Sequence, residues 1–111
     1  MRNISFSLTT PQIRARTKTV TRRLKWLNLK AGDSLQGCVK CMGLKPGEKI
    51  EKLAVIKVVS VRREPLQNIT DDDCVREGFP ELSSVQFVEM FCNHMGGTGL
   101  QGITRIEFEY L

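Results

Sequence analysis

Alternation of apolar and polar residues predicts strands near both ends of the sequence. The segments ISFSL (residues 4–8) and ITRIEFEYL (residues 103–111) both alternate with a period of two. Between them, residues 53–61 are dominated by Val, Ile, Leu and Ala, which is typical of a central strand. A turn at residues 31–33 precedes a further strand, and TVTRRL (residues 19–24) is either a strand or a tight exit from a helix.

Three helices are predicted from the residues at their starts. Thr10 is a suitable N-cap, and the proline after it is favourable at the first helical position. Thr70 precedes three aspartates that suit the positive end of a helix dipole, and Gly78 is suited to end that helix. The third helix begins at Ser83 or Ser84. Its expected buried stripe, with Phe87 beside it, consists of Val85, Val88, Phe91 and Cys92.

The order of these elements indicates an α+β protein. With 111 residues, the chain fits one domain, residues 1–111, and it shows no internal repeat. Several strands joined by short turns, with helices inserted, predict a small barrel or a curled sheet.

Charge is distributed unevenly along the sequence. Residues 1–30 hold eight Lys and Arg and no acidic residue, and the net charge is +5. Such a block either attracts an anion, nucleic acid being the commonest, or forms a solvated face balanced by the later acids. No apolar run spans a membrane and no secretory signal is visible, so we expect a cytoplasmic protein that does not contact membranes.

The four cysteines are expected to be free thiols without a metal. Cys38 and Cys41 form a C-x-x-C, but in a strand their side chains would diverge. Cys92 and His94 are spaced poorly as a second pair of zinc ligands. We therefore predict neither a metal site nor any other cofactor.

Several segments together resemble the ASCH domain, a family with a PUA-like β-barrel. These are KTVTRR, LKAGD, VVSVRREPL, ITDDDCVREGFP and IEFEYL, in that order, from residue 4 to residue 110. The chain is similar to the small stand-alone ASCH proteins of bacteria and their phages. The resemblance implies a PUA-like barrel with two or three short helices, and a basic cleft that binds RNA, a nucleoside or a nucleotide.

The alternative to a binding protein is an enzyme, because some small members of that family are amidohydrolases that deacetylate acetylcytidine. The resemblance extends to their key residues. It implies Lys18 as the base, Thr21 as the nucleophile and Glu77 as the proton shuttle, with Arg23 matching a further arginine. The chemistry is reasonable, because a threonine hydroxyl needs a base and a lysine can be one only if its pKa is lowered. Arg23 or a backbone N–H would then stabilise the oxyanion.

Spacing limits this hypothesis. Lys18 and Thr21 are three residues apart, which places them on opposite faces of a strand but side by side in a helical turn. Catalysis therefore predicts a turn or helix exit around Thr19 and Val20, with Lys18 and Thr21 converging on the same cleft as Glu77. Otherwise the threonines are only β-formers and the charged residues a solvated rim.

Further residues are candidates for contact with RNA or a nucleoside. Arg16 and Arg22 are expected on the rim of the cleft. Arg62 and Arg63 either contact phosphate or pair with residues 71–73, and Trp26 either stacks on a base or belongs to the core. A weaker alternative is a metal-dependent ribonuclease using Glu77 and residues 71–73. The oligomeric state is not predicted.

Overall fold

The structure is a computed structural model that describes all 111 residues, arranged as one five-stranded sheet and three helices. The strands are β1 (Arg2–Ser5), β2 (Val20–Arg23), β3 (Ser34–Cys38), β4 (Lys52–Pro65) and β5 (Gly102–Tyr110). The helices are α1 (Thr10–Arg14), α2 (Asp71–Arg76) and α3 (Ser84–Met95), and a 3-10 helix occupies Leu66–Asn68. None of these helices combines the length and the hydrophobicity that a membrane crossing requires.

The sheet curls into a half-barrel with strand order β1-β3-β4-β5-β2. β1 and β3 are parallel, and the other neighbouring pairs are antiparallel. The predicted α+β class with a barrel-like sheet is thereby confirmed. β1 and β2 are the two edge strands of the sheet, so each leaves one side without a strand partner.

Apolar side chains form two clusters, one on each face of the sheet. β5 contributes to both because its residues alternate in direction. Ile106 and Phe108 belong to the inner cluster, whereas Ile103 belongs to the outer cluster beneath α2 and α3. The inner cluster also contains Ile4, Phe6, Ile13, Leu29, Leu35, Ile56 and Val58. The outer cluster also contains Leu66, Ile69, Cys74, Phe87 and Phe91.

The helix starts follow the predicted capping chemistry with small differences. The Thr70 hydroxyl accepts a hydrogen bond from the Asp73 N–H at 3.1 Å, and Ser83 forms a capping box with Gln86. α1 begins at Thr10 itself, so its N-cap is Thr9, one residue earlier than predicted.

The buried stripe of α3 differs from the prediction at one end. Val85 is 67% exposed, so placing it in the stripe was wrong. Phe87 and Phe91, four residues apart on one face, are the buried residues of the helix, with Val88 and Cys92 packed beside them.

The segment between α1 and β2 is irregular up to Thr19, and the strand begins at Val20. The requirement for a turn that includes Val20 was therefore wrong, although Lys18 and Thr19 do lie outside the strand. Backbone bonds hold Thr19 on both sides: its N–H donates to the Arg76 carbonyl at 2.8 Å, and its carbonyl accepts from the Phe108 N–H at 2.9 Å.

Residues of β2 alternate between the two faces of the sheet. Thr21 pairs with Ile106 and therefore faces the inner side, whereas Arg22 pairs with Arg105 on the outer side, towards α2. Arg23 faces the inner side again, and its Nη2 donates to the Ser5 carbonyl at 2.6 Å. This side chain thus links the two edge strands, β2 and β1.

Candidate functional site

A cleft of about 480 Å³ opens beside the free edge of β2. One wall is the face of α3 that carries Phe87, Met90, Phe91, His94 and Met95. Residues 5–9, which include the last residue of β1 and the segment leading to α1, form the opposite wall. We call Lys18, Thr21, Arg23 and Glu77 the cleft floor. The cleft runs past an edge strand, so residues from both faces of β2 reach it.

Lys18, Thr21 and Glu77 converge on the cleft although their segments are far apart in the sequence. The Lys18 ammonium donates to Glu77 Oε1 at 2.7 Å and to the Glu77 carbonyl at 2.8 Å. All three residues are no more than 3% exposed. The expected convergence therefore occurs. It arises because Lys18 precedes the strand and Glu77 caps α2 directly opposite it.

Thr21 is held by its neighbour on the same face of the strand. Arg23 Nε donates to Thr21 Oγ1 at 3.0 Å. The Arg23 guanidinium also lies 5.1 Å from the centre of the Phe6 ring. Because a guanidinium only donates, this bond leaves the Thr21 hydroxyl proton unused.

Burial lowers the pKa of Lys18 below that of an ordinary lysine. The Glu77 carboxylate opposes this shift by its charge and its hydrogen bond, while the charges of Arg23 and Arg22 reinforce it. The net direction makes Lys18 easier to deprotonate, which a base requires. Burial likewise lowers the pKa of Arg23, to about 10, so its guanidinium remains a cation at neutral pH.

Arg22 lies at the centre of a buried ion-pair network and does not line the rim. It is 4% exposed and contacts Asp73 at 2.6 Å, Glu77 at 3.1 Å and Glu64 at 3.3 Å. The prediction of a rim position for Arg22 was therefore wrong. Its Nε is the one buried side-chain nitrogen or oxygen without a hydrogen-bond partner.

Asp73 is the main anion of this network. Arg105 forms two bonds to its carboxylate, at 2.7 and 2.9 Å, and hydrogen bonds from Arg105 and then Arg22 hold the pKa of Asp73 far below its usual range. Asp73 in turn raises the pKa of Arg105. The sequence position of Asp73 also suits the first turn of α2, so one carboxylate serves both the helix dipole and the network.

The backbone of Lys18 is fixed by a contact from β5. The Tyr110 hydroxyl donates to the Lys18 carbonyl at 2.5 Å, and burial raises the pKa of Tyr110 to about 12, which keeps the hydroxyl protonated. Gly78, with a φ of +94°, packs closely against Gln12 of α1. A Cβ there would lie 2.7 Å from Gln12 Cγ. A glycine at this position therefore allows α2 to end against the segment that carries Lys18.

Comparisons with known proteins bear on the fold. No protein-family model matches the chain, and no curated protein is significantly similar to it in sequence. The crystal structure of an ASCH domain from Lactobacillus crispatus JV V101 superposes with a TM-score of 0.69 at 14% identity. This match covers 98% of the present chain and 78% of the other. The chain has the ASCH-domain fold.

Two further crystal structures share this ASCH fold. Protein EF3133 of Enterococcus faecalis V583, assigned to the family model DUF984, matches with a TM-score of 0.67 at 15% identity, covering 99% of this chain and 79% of that one. A hypothetical protein designated PH0355 matches with a TM-score of 0.67 at 18% identity, covering 99% and 96%. The predicted ASCH resemblance is confirmed as a shared fold.

Four predicted ligand contacts lie outside the cleft of this ASCH fold. Arg16 is exposed, with its guanidinium 5.1 Å from the centre of the Tyr110 ring. Trp26 packs against the inner core cluster, and Arg2 covers its ring at 4.4 Å. Arg62 and Arg63 line a separate surface groove. Neither pairs with residues 71–73, since Arg62 contacts Glu64 and Arg63 donates to Thr104.

Sequence reasoning missed the α3 wall. Met90, His94 and Met95 lie on the helix face that also carries Phe87 and Phe91. The spacing of three and four residues was a visible signal of one face. It did not show that part of this face looks into a cleft, because that depends on where α3 docks.

The structure offers no arrangement suited to a metal ion. No group of three or more His, Cys, Asp or Glu side chains is placed to bind one. The carboxylates of Asp73 and Glu77, which the ribonuclease alternative requires, are instead paired with Lys and Arg. The predicted divergence of Cys38 and Cys41 was wrong, because β3 ends at Cys38 and the Cys41 thiol lies close enough to act on the pKa of Cys38. All four cysteines are nevertheless free, and burial raises the pKa of Cys38 and of Cys74.

Proposed function

We propose that the cleft binds an acylated cytidine-type nucleoside and hydrolyses its amide bond. Thr21 is the nucleophile, Lys18 its base and Glu77 the proton shuttle. The observation that carries this proposal is that the buried Lys18–Glu77 pair and Thr21 line the same cleft, where Arg23 holds the Thr21 oxygen. Perturbed titratable groups at the base of a cleft are typical of a reactive site.

The reaction proceeds in two steps. Neutral Lys18 takes the hydroxyl proton of Thr21 as its oxygen attacks the acyl carbonyl, and negative charge develops on the carbonyl oxygen near the Arg23 guanidinium. Glu77 passes the proton from Lys18 to the departing amine, which leaves as cytidine. Water then hydrolyses the threonyl ester and releases the carboxylic acid.

The shape of the cleft favours a small ligand. Its volume of about 480 Å³ lies within the range of about 300–1,000 Å³ that is usual for small-molecule sites. The aromatic and methionine side chains of α3 provide an apolar surface for a planar base. A free nucleoside fits this description, and so does one base extruded from a chain.

RNA is a second candidate ligand, and the separate groove favours it. Its charged lining residues are Lys30, Arg62 and Arg63, all cations. Such a groove suits the phosphates of a single strand. Titration of single-stranded RNA at two salt concentrations tests this candidate. We expect affinity to fall as salt rises, and an affinity that ignores salt contradicts it.

Release of cytidine from N4-acetylcytidine tests the hydrolase. We expect turnover by the unmodified protein, a loss of at least about 10³-fold in Thr21→Ala, and a loss of about 10²–10⁴-fold in Lys18→Met. Thr21→Ser keeps a hydroxyl and should retain measurable activity.

Arg14→Gln is the matched control, because Arg14 is exposed, pairs with Glu51 and lies outside the cleft. No release from a panel of acylated cytidines would refute the proposal. Full activity of Thr21→Ala would do so as well.

A further inference from the structure

Every buried cation around the cleft floor has a carboxylate partner except Arg23. Four cations are buried or half-buried there: Lys18, Arg22, Arg23 and Arg105. The carboxylates that pair with these cations are Glu64, Asp73, Glu77 and the partly exposed Glu107. Each of these carboxylates lies within 4 Å of Lys18, Arg22 or Arg105, and none lies within 4 Å of Arg23. The charge of Glu77 acts on Arg23 from a greater distance, but no carboxylate contacts the guanidinium directly. A cation withdrawn from water without such a contact is costly, so its surroundings favour an anion.

Arg23 also has hydrogen-bond donors to spare. Its Nε binds Thr21 and its Nη2 binds the Ser5 carbonyl, both uncharged oxygens. Nη1 has no acceptor in the protein, and it is not sealed off, since the one buried nitrogen without a partner belongs to Arg22. Arg23 lines the cleft, so this free edge of the guanidinium is available to a ligand there.

Held at two points, the side chain is also pre-organised. The bonds to Thr21 and Ser5, together with the Phe6 ring, fix the guanidinium before any ligand arrives. Little side-chain entropy is then lost on binding. Arginine in a fixed orientation is well suited to carboxylate or phosphate oxygens.

We propose that Arg23 forms an anion subsite on the cleft floor, and that the preferred ligand brings a negatively charged carboxylate or phosphate to it. This proposal deepens the proposed function by naming the ligand class. It rests on the cleft being the ligand site, but it does not require hydrolysis. The anion comes either from an acyl group that ends in a carboxylate or from a nucleotide phosphate.

A role for Arg23 in the transition state alone would give a different result. Stabilising only the oxyanion changes kcat and leaves KM unchanged. An anion subsite acts on the bound ground state as well, so it changes the affinity for charged ligands and leaves neutral ones unaffected. The two roles therefore separate in binding measurements.

The first experiment measures affinities by calorimetry with two matched pairs of compounds. Cytidine and cytidine 5′-monophosphate are titrated into the unmodified protein. N4-acetylcytidine and N4-succinylcytidine are titrated into Thr21→Ala, which prevents turnover. We expect the anionic member of one pair to bind at least about tenfold more tightly. The pair that shows this preference identifies the source of the anion.

Equal affinities within both pairs would overturn the proposal. Hydrolysis of acetylcytidine without any preference for anions would leave the proposed function standing and remove only the subsite. A preference for anions without hydrolysis would support the subsite and refute the proposed hydrolase activity.

The second experiment assigns the preference to Arg23. Arg23→Gln should abolish it while the neutral compound binds within about twofold of its original affinity, and Arg23→Lys should restore part of it. Arg14→Gln serves as the control and should keep the preference. Thermal unfolding of each variant verifies that it is folded. Equal weakening of charged and neutral compounds in Arg23→Gln would show a structural role and contradict the proposal.

Discussion

The two faces of β2 show how adjacent arginines acquire different tasks. On the outer face, Arg22 is buried among three carboxylates, although part of it also reaches the cleft lining. On the inner face, Arg23 binds only neutral oxygens and borders the cleft. Arg22, which is paired with carboxylates, links parts of the structure, whereas Arg23 has no carboxylate partner in the protein.

The difference also explains how the network serves the cleft. Glu77 belongs to both regions, since Oε2 receives Arg22 and Oε1 receives Lys18. Arg22 thereby fixes the carboxylate that meets the lysine. The ion pairs of the outer face thereby help to orient Glu77 and Lys18 on the cleft floor.

Removing the central anion should produce the largest effect on stability. Asp73→Ala leaves Arg22 and Arg105 without their main counter-charge, so we expect a loss of about 3–5 kcal/mol in the free energy of unfolding. Urea denaturation measures it. The adjacent Asp72→Ala is the matched control, because Asp72 is exposed and makes no ion pair. Equal losses for the two substitutions would show that the buried network stabilises the protein no more than an exposed carboxylate does.

Lowering the pH should gradually reduce the stability that the Asp73 network on the outer face provides. The pKa of Asp73 is lowered in the folded protein, so its contribution is complete above the unfolded value near 4 and is lost as pH falls below it. The free energy of unfolding should then drop by up to about 1.4 kcal/mol per pH unit from this group. Asp73→Ala should flatten that part of the curve. An unchanged slope in the variant would assign the acid sensitivity to other groups.

The ion pair at the exposed end of the network should contribute least to the stability of the protein. Arg62 contacts Glu64 at 2.5 Å, but its side chain is 60% exposed, so water competes for the pair. We expect Arg62→Gln to change the free energy of unfolding by less than about 1 kcal/mol in urea denaturation. A loss as large as that of Asp73→Ala would show that the rim stabilises the protein as strongly as the buried pairs.

Much of the fold could be predicted from local patterns. Alternation in residues 103–111, the Thr70 cap and the capping serine before α3 each depend on neighbours in the sequence. Local rules describe such features well. Val85 was misplaced because helical spacing fixes which residues share a face but not how wide the buried part is.

The candidate site was harder to predict because its partners are distant in the sequence. Arg22 and Arg23 are indistinguishable by residue type, and only the packing of α2 against β2 brings Asp73 and Glu77 to Arg22. The positions of Lys18, Thr21 and Glu77 came from the family resemblance. Their convergence depends on β2 being an edge strand, which the sequence does not reveal.

The bond from Tyr110 to Lys18 has a consequence for the order of assembly. It joins residues that are 92 positions apart, so it closes one of the longest loops in the chain. During synthesis the N-terminal segments leave the ribosome first, and Lys18 must wait for β5 before its carbonyl is fixed. The cleft floor is therefore completed late in folding, and a nascent chain carries the proposed reactive residues without yet holding them in the reactive arrangement.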